Sequence, residues 1–74
     1  MIDDEKLLDV VRAAAKNAPL YDGAVLFNEI CREVKNRCGA FNAEKIEFQI
    51  RHLEEVGALK AEYLDGMLIG VKIL

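Results

Sequence analysis

The sequence predicts an α+β domain: three helices closed by a C-terminal two-stranded β-hairpin. Three observations lead there. Apolar residues recur at helical spacing in three successive stretches ending at Leu53. Beyond Gly57 the pattern changes to short β-type runs around Asp65-Gly66, a dipeptide suited to a hairpin turn. The 74 residues leave room for one domain, spanning 1–74, with 53% hydrophobic residues to fill its core and 31% charged residues to cover it.

The first helix is expected from Asp4 to Ala18. Asp3 is placed to cap it, and Asp4 and Glu5 suit the positive end of its dipole. Ile2 stands where it can pack on Leu7 as a hydrophobic staple. Leu7, Val11, Ala14 and Ala18 line one face, widened by Leu8 and Ala15, and Pro19 ends the helix. Leu20 and Tyr21 read as a short extended link. Asp22 then caps a second helix that runs to about Arg37, with Phe27, Ile30, Cys31, Val34 and Cys38 on one stripe. Gly39 supplies the left-handed residue that stops it.

Only Gly39 to Asn42 separate the second helix from the third, which is a tight connection. Asn42 caps the third helix, with Phe41 stapled to Ile46. Ile46, Ile50 and Leu53 face the core, and Gly57 ends the helix. Ala58 to Leu74 form the hairpin. A strict two-residue turn at Asp65-Gly66 sets Ile69 opposite Glu62 and Val71 opposite Lys60. A loop longer by one residue sets Tyr63 opposite Ile69, Ala61 opposite Val71 and Leu59 opposite Ile73. Because a slip of one residue turns every side chain over, burial selects the longer loop. In that register Leu64, Met67 and Leu68 sit at the tip, away from the core.

Composition excludes several functions. Cys31 and Cys38, seven positions apart on one helix, lie about 10.5 Å apart, beyond the roughly 7 Å reach of a disulfide. They read as two buried thiols and not as a redox pair or metal ligands. One His and no C-x-x-C leave a metal without a ligand set, so neither metal nor cofactor is expected. His52 has no obvious Ser, Cys or Asp partner in sequence, and the acidic runs Asp3-Asp4-Glu5 and Glu54-Glu55 read as solvated helix surface. No catalytic residues are expected, and the chain is not read as an enzyme. No apolar run approaches the roughly 20 residues of a bilayer span. The start, MIDDEKLLDV, lacks the features of a signal peptide, so a cytoplasmic protein is expected.

The net charge of −3 weighs against nucleic-acid binding, which needs a positive face. The charge is uneven, however: −3 over residues 1–31, +1 over 32–60 and −1 over 61–74. The central segment is near neutral.

The element order, with the segment IEFQIRHLEEVGALKAEY, resembles the winged helix-turn-helix superfamily, in which a helix ends in Leu-Glu-x-x-Gly-x-Leu before the wing. The resemblance covers essentially the whole chain. The spacing of the second and third helices is also similar to the C-terminal winged-helix domain of cullins. Two functions are implied, because winged helices serve as transcription regulators and as protein-docking modules. As a regulator, the chain is expected to lay its third helix, about 43–56, in the major groove of double-stranded DNA. Lys45, Arg51 and His52 are then candidate contacts, Arg51 the best placed to reach a guanine edge and Gln49 to approach an adenine. Lys35 and Arg37 suit phosphates, and Lys60 and Lys72 extend the strip along the hairpin.

The outward face of the third helix, comprising Glu44, Lys45, Glu47, Phe48, Arg51, His52 and Glu55, is mixed. Glu44 and Glu47 stabilise a helix start by about 0.3–1 kcal/mol each, but they stand where phosphates approach. Phe48 lies opposite the core stripe. Together with Leu64, Met67 and Leu68 it forms a candidate surface for a protein partner or a homodimer.

Overall fold

The computed structural model describes residues 2–17 and 24–73. It has α+β architecture, with helices α1 (Asp4–Asn17), α2 (Phe27–Cys38) and α3 (Ala43–Glu55) and strands β1 (Val25–Leu26), β2 (Leu59–Leu64) and β3 (Met67–Ile73). The strands form one antiparallel sheet in the order β1-β3-β2. None of the described helices is long and apolar enough to cross a membrane.

Local chemistry accounts for most helix ends. Asp3 accepts the backbone N–H of Lys6 at 2.8 Å, and Asn42 accepts that of Lys45 at 3.2 Å. Each satisfies a donor that a helix start leaves unpaired. Gly39, at φ 82°, closes α2 by donating to the Lys35 carbonyl. At the end of α3, Ala58 N–H reaches the Leu53 carbonyl and Gly57 N–H that of Glu54. That double closure around a left-handed glycine is the Schellman pattern.

The second helix starts later than expected. Val25 and Leu26 pair with Val71 and Gly70 of β3, and α2 begins only at Phe27. Leu26 occupies the cap position with no side-chain hydrogen bond. The apolar pair, Val25 being β-branched, is held by the sheet, and this tertiary pairing outweighs the helical periodicity read through residues 24–26. Asp22, the expected cap, and the link at Leu20 and Tyr21 lie outside the described residues, as do Ala18 and Pro19.

Leu7, Val10, Val11, Ile30, Ile50, Leu59 and Val71 are the most deeply buried side chains, so all three helices and the sheet share one core. Val10 belongs to that core although the expected stripe omitted it. Cys31 is buried, and burial pushes its thiol pKa up. Cys38 is exposed, which corrects the reading of two buried thiols: it is the last residue of α2, beyond the end of the core stripe.

The hairpin uses both registers considered from the sequence. At its tip, Leu64 pairs with Met67 and Tyr63 with Leu68 around a strict two-residue turn, with Asp65 at φ 52° and Gly66 at φ 79°. Positive φ at both turn residues is the hairpin geometry that Asp-Gly favours. Towards the core end, Ala61 pairs with Val71 and Leu59 with Ile73, as burial requires. The two demands differ by one residue, and a bulge opposite Glu62/Tyr63 absorbs it, leaving Ile69 as the extra residue. Tyr63 therefore pairs with Leu68, not Ile69. Leu68 and Val71, three positions apart, are both buried, which an uninterrupted strand forbids. Leu68 is thus a core residue at 7% exposure, while Leu64 and Met67 remain outside.

Candidate functional site: the outer face of α3 and the hairpin

Three sides of α3 have different jobs. Ile46, Ile50 and Leu53 enter the core. On one flank Gln49 and His52 meet the N-terminal segment. Gln49 Nε2 donates to the Ile2 carbonyl at 2.7 Å and approaches Asp4 Oδ1 at 3.4 Å, while His52 Nε2 lies 3.8 Å from Asp4 Oδ2. On the other flank Glu54 accepts the backbone N–H of Ala61 at 3.0 Å, binding α3 to the outer edge of β2. Glu54 is therefore half-buried and structural, unlike the solvated Glu55 beside it. An edge strand whose N–H groups are engaged is also less open to pairing with other chains.

The remaining side is free. Phe48 is 75% exposed at its centre, as the helical phase predicts. Helical spacing places Glu44, Lys45, Arg51, His52 and Glu55 around it. Arg51 donates to Glu47 through Nε and Nη2, at 3.2 and 2.8 Å, and its guanidinium lies 4.9 Å above the ring centroid of Tyr63. The hydrogen bonding of its guanidinium to the Glu47 carboxylate is the main cause that raises the Arg51 pKa above its ordinary value. Burial raises that of Tyr63. The Arg51–Tyr63 stack joins the helix face to the hairpin, whose tip carries Leu64 and Met67, both largely exposed.

The sequence-derived candidates separate on this geometry. Gln49 is only 7% exposed and its amide is committed to the N-terminus, so it cannot read a base edge. Leu68 leaves the partner set because it is buried. Arg51 and His52 remain on the surface, each beside a carboxylate. Arg37 is paired with Glu33 at 3.0 Å and Lys72 with Glu62 at 3.6 Å. All four arginines, at 12, 32, 37 and 51, pair with an acid one turn earlier on their own helix. Lys35 and Lys45 are exposed and have no ion-pair partner among the described residues. Lys60 stands across from Lys72 on the hairpin.

Two features escaped the sequence reading. One is the tie between Gln49, Ile2 and Asp4. The other is a groove of about 360 Å³ at the α2–α3 turn, lined by Val34, Cys38, Phe41, Lys45, Ile46 and Gln49 among others. Gln49 Oε1 is buried without a hydrogen-bond partner among the described residues.

No family model matches this chain, and comparisons with curated proteins and with solved structures return no match.

Proposed function

We propose that this chain is a winged-helix domain whose α3–hairpin face pairs with a second copy of the chain. The order helix, strand, helix, tight turn, helix, hairpin supports the family reading, as does the pairing of β1 with the hairpin. The observation that carries the functional reading is Phe48, three-quarters exposed at the middle of the face. A stable interface buries at least roughly 1,200 Å² in total, about 600 Å² from each partner. That is about an eighth of the 4843 Å² surface of this chain, more than one helix crest supplies. The Arg51–Tyr63 stack extends the face from the helix onto the hairpin. Acids (Glu44, Glu47, Glu55) and bases (Lys45, Arg51, His52) interleave around Phe48. A mixed ring of this kind is self-complementary across a twofold axis, where each residue meets a different residue of its mate.

Sedimentation of the wild type and of Phe48→Ala tests this reading. A dimer is expected for the wild type. Truncating a central aromatic anchor costs about 2 kcal/mol or more, so the variant should dissociate roughly 30-fold more readily. A wild type that stays monomeric at high concentration removes the proposal.

The second reading, a transcription regulator with α3 in the major groove of duplex DNA, is favoured by Lys35 and Lys45. Both are exposed, unpaired among the described residues, and close to the α2–α3 turn. Against it stand Glu44, Glu47 and Glu55 on the same helix and the loss of Gln49 from the reading set. The two readings compete for one face, so a dimer built through Phe48 hides α3 from DNA. Fluorescence anisotropy with a labelled duplex at low salt separates them. Binding that Lys45→Glu abolishes and added salt reverses supports the DNA reading. No binding at low salt removes it.

A further inference from the structure

We propose that two copies of the chain meet with their α3 helices antiparallel and the twofold axis at Phe48, so that Glu44 of each copy pairs with Arg51 of the other. The proposal rests on the Phe48 dimer reading and adds to it an orientation and the residues that fix it.

At 3.6 residues per turn, Glu44 and Arg51 fall about 40° and 60° to one side of Phe48, and Lys45 and His52 about 60° and 40° to the other. Glu55 lies about 20° from the Phe48 line. In a parallel pair the crest residues meet their own copies, which sets Glu44 near Glu44 and Glu55 against Glu55. Reversing one helix about Phe48 leaves only Phe48 facing itself. Each flank then meets the same flank of the other copy, run backwards. Glu44 stands about 6 Å from Phe48 along the helix and Arg51 about 4.5 Å, so the two come level to within about 1.5 Å. Opposed helix dipoles favour the same direction.

Both side chains are ready for this contact. Glu44 is exposed and has no ion-pair partner among the described residues. Arg51 spends Nε and Nη2 on Glu47, while Nη1 keeps its donors without a hydrogen bond among the described residues. The Glu47 pair and the Tyr63 ring already hold the guanidinium in place, so less side-chain freedom is lost on association. An open cleft of about 280 Å³ beside Glu44, lined also by Asn42, Lys45 and Phe48, lies where Arg51 of the second copy arrives. On the other flank Lys45 comes opposite His52 of the second copy, which has the Asp4 carboxylate 3.8 Å away.

Sedimentation of Glu44→Lys and Arg51→Glu, alone and mixed, tests the arrangement. In either variant alone both intermolecular pairs become like-charged, and dimerisation should weaken at least about tenfold. In an equimolar mixture the lysine introduced at position 44 faces the glutamate introduced at position 51, and Arg51 faces Glu44. Dimers with one copy of each variant should then form at least about fivefold more tightly than either variant alone. A spin label on Glu55→Cys in a Cys38→Ser background reads the orientation without altering either pair. An antiparallel dimer holds the two labels roughly 20–30 Å apart and a parallel one below about 15 Å. If circular dichroism shows that Arg51→Glu does not fold, the label distance decides. A mixture of folded variants no tighter than its components, or labels below about 15 Å, overturns the arrangement, while a wild-type dimer that Phe48→Ala loosens keeps the Phe48 reading. A monomeric wild type ends both.

Discussion

Gly70→Ala should destabilise the fold through a specific collision at β1. A Cβ at position 70 would lie 3.0 Å from the Val25 carbonyl oxygen, 3.3 Å from Ala24 Cβ and 3.7 Å from the Val25 carbonyl carbon. The nearest of these atoms is backbone, so no side-chain rotation relieves the clash. β1 itself cannot move without giving up its pairing of Val25 with Val71 and Leu26 with Gly70. Overpacking of this kind costs about 1–3 kcal/mol. Replacing glycine returns about 0.4–1 kcal/mol by narrowing the unfolded ensemble. The net loss is therefore at most about 2.6 kcal/mol and centred near 1.3 kcal/mol. A domain of this size loses roughly 4–8 °C in Tm for each kcal/mol, so a fall of about 5–10 °C is expected. Urea unfolding followed by circular dichroism should show a lower midpoint with an unchanged slope. Amide exchange should quicken first at Val25 and Leu26. A Gly70→Ala protein as stable as the wild type would refute the close approach of β1 to β3.

The bulge makes a second prediction. Leu68→Ala should cost about 2–4 kcal/mol, whereas Met67→Ala, at 70% exposure, should stay within about 0.5 kcal/mol; equal effects in urea melts would put the bulge elsewhere. Asn42→Ala, which removes the 3.2 Å cap of α3, should cost about 1 kcal/mol by the same assay. With a thiol reagent such as DTNB, Cys38 should react at once and Cys31 only on unfolding, because Cys31 is buried and its pKa is raised. Two thiols reacting at one rate in the native protein would contradict that difference in burial.

What could be read from the sequence depended on whether local chemistry and packing agreed. The caps at Asp3 and Asn42 and the stops at Gly39 and Gly57 are short-range hydrogen bonding and backbone conformation, so they were legible. The inward stripe of α3 and the exposure of Phe48 follow from helical phase alone. The start of α2 was not legible, because residues 24–26 fit a helical stripe as well as a strand, and only the presence of β3 decides between them. In the hairpin, the Asp65-Gly66 turn and the Ala61–Val71 core pairing were each legible, but they were weighed as alternatives. The chain satisfies both by spending Ile69 on a bulge, and Leu68 moves inward as a consequence. No single-strand pattern encodes that compromise.

Gln49 shows how much a polar side chain at a core position alters the function read from a helix. Ile46, Gln49, Ile50 and Leu53 follow the i, i+3, i+4, i+7 spacing of a buried helical face. That spacing was the available signal, and the amide side chain outweighed it. Once Gln49 turns inward, α3 keeps Arg51 and His52 outside, each beside a carboxylate, around an exposed phenylalanine. A base-reading helix needs donors and acceptors free on its crest, and this crest presents a ring instead. The same burial sets the Gln49 amide against the Ile2 carbonyl. One residue's burial thus weakens the DNA reading of α3 and ties the N-terminal segment to that helix. Gln49→Leu separates the two effects. It should leave self-association through Phe48 unchanged, because Gln49 lies off that face, while removing the amide that ties down Ile2.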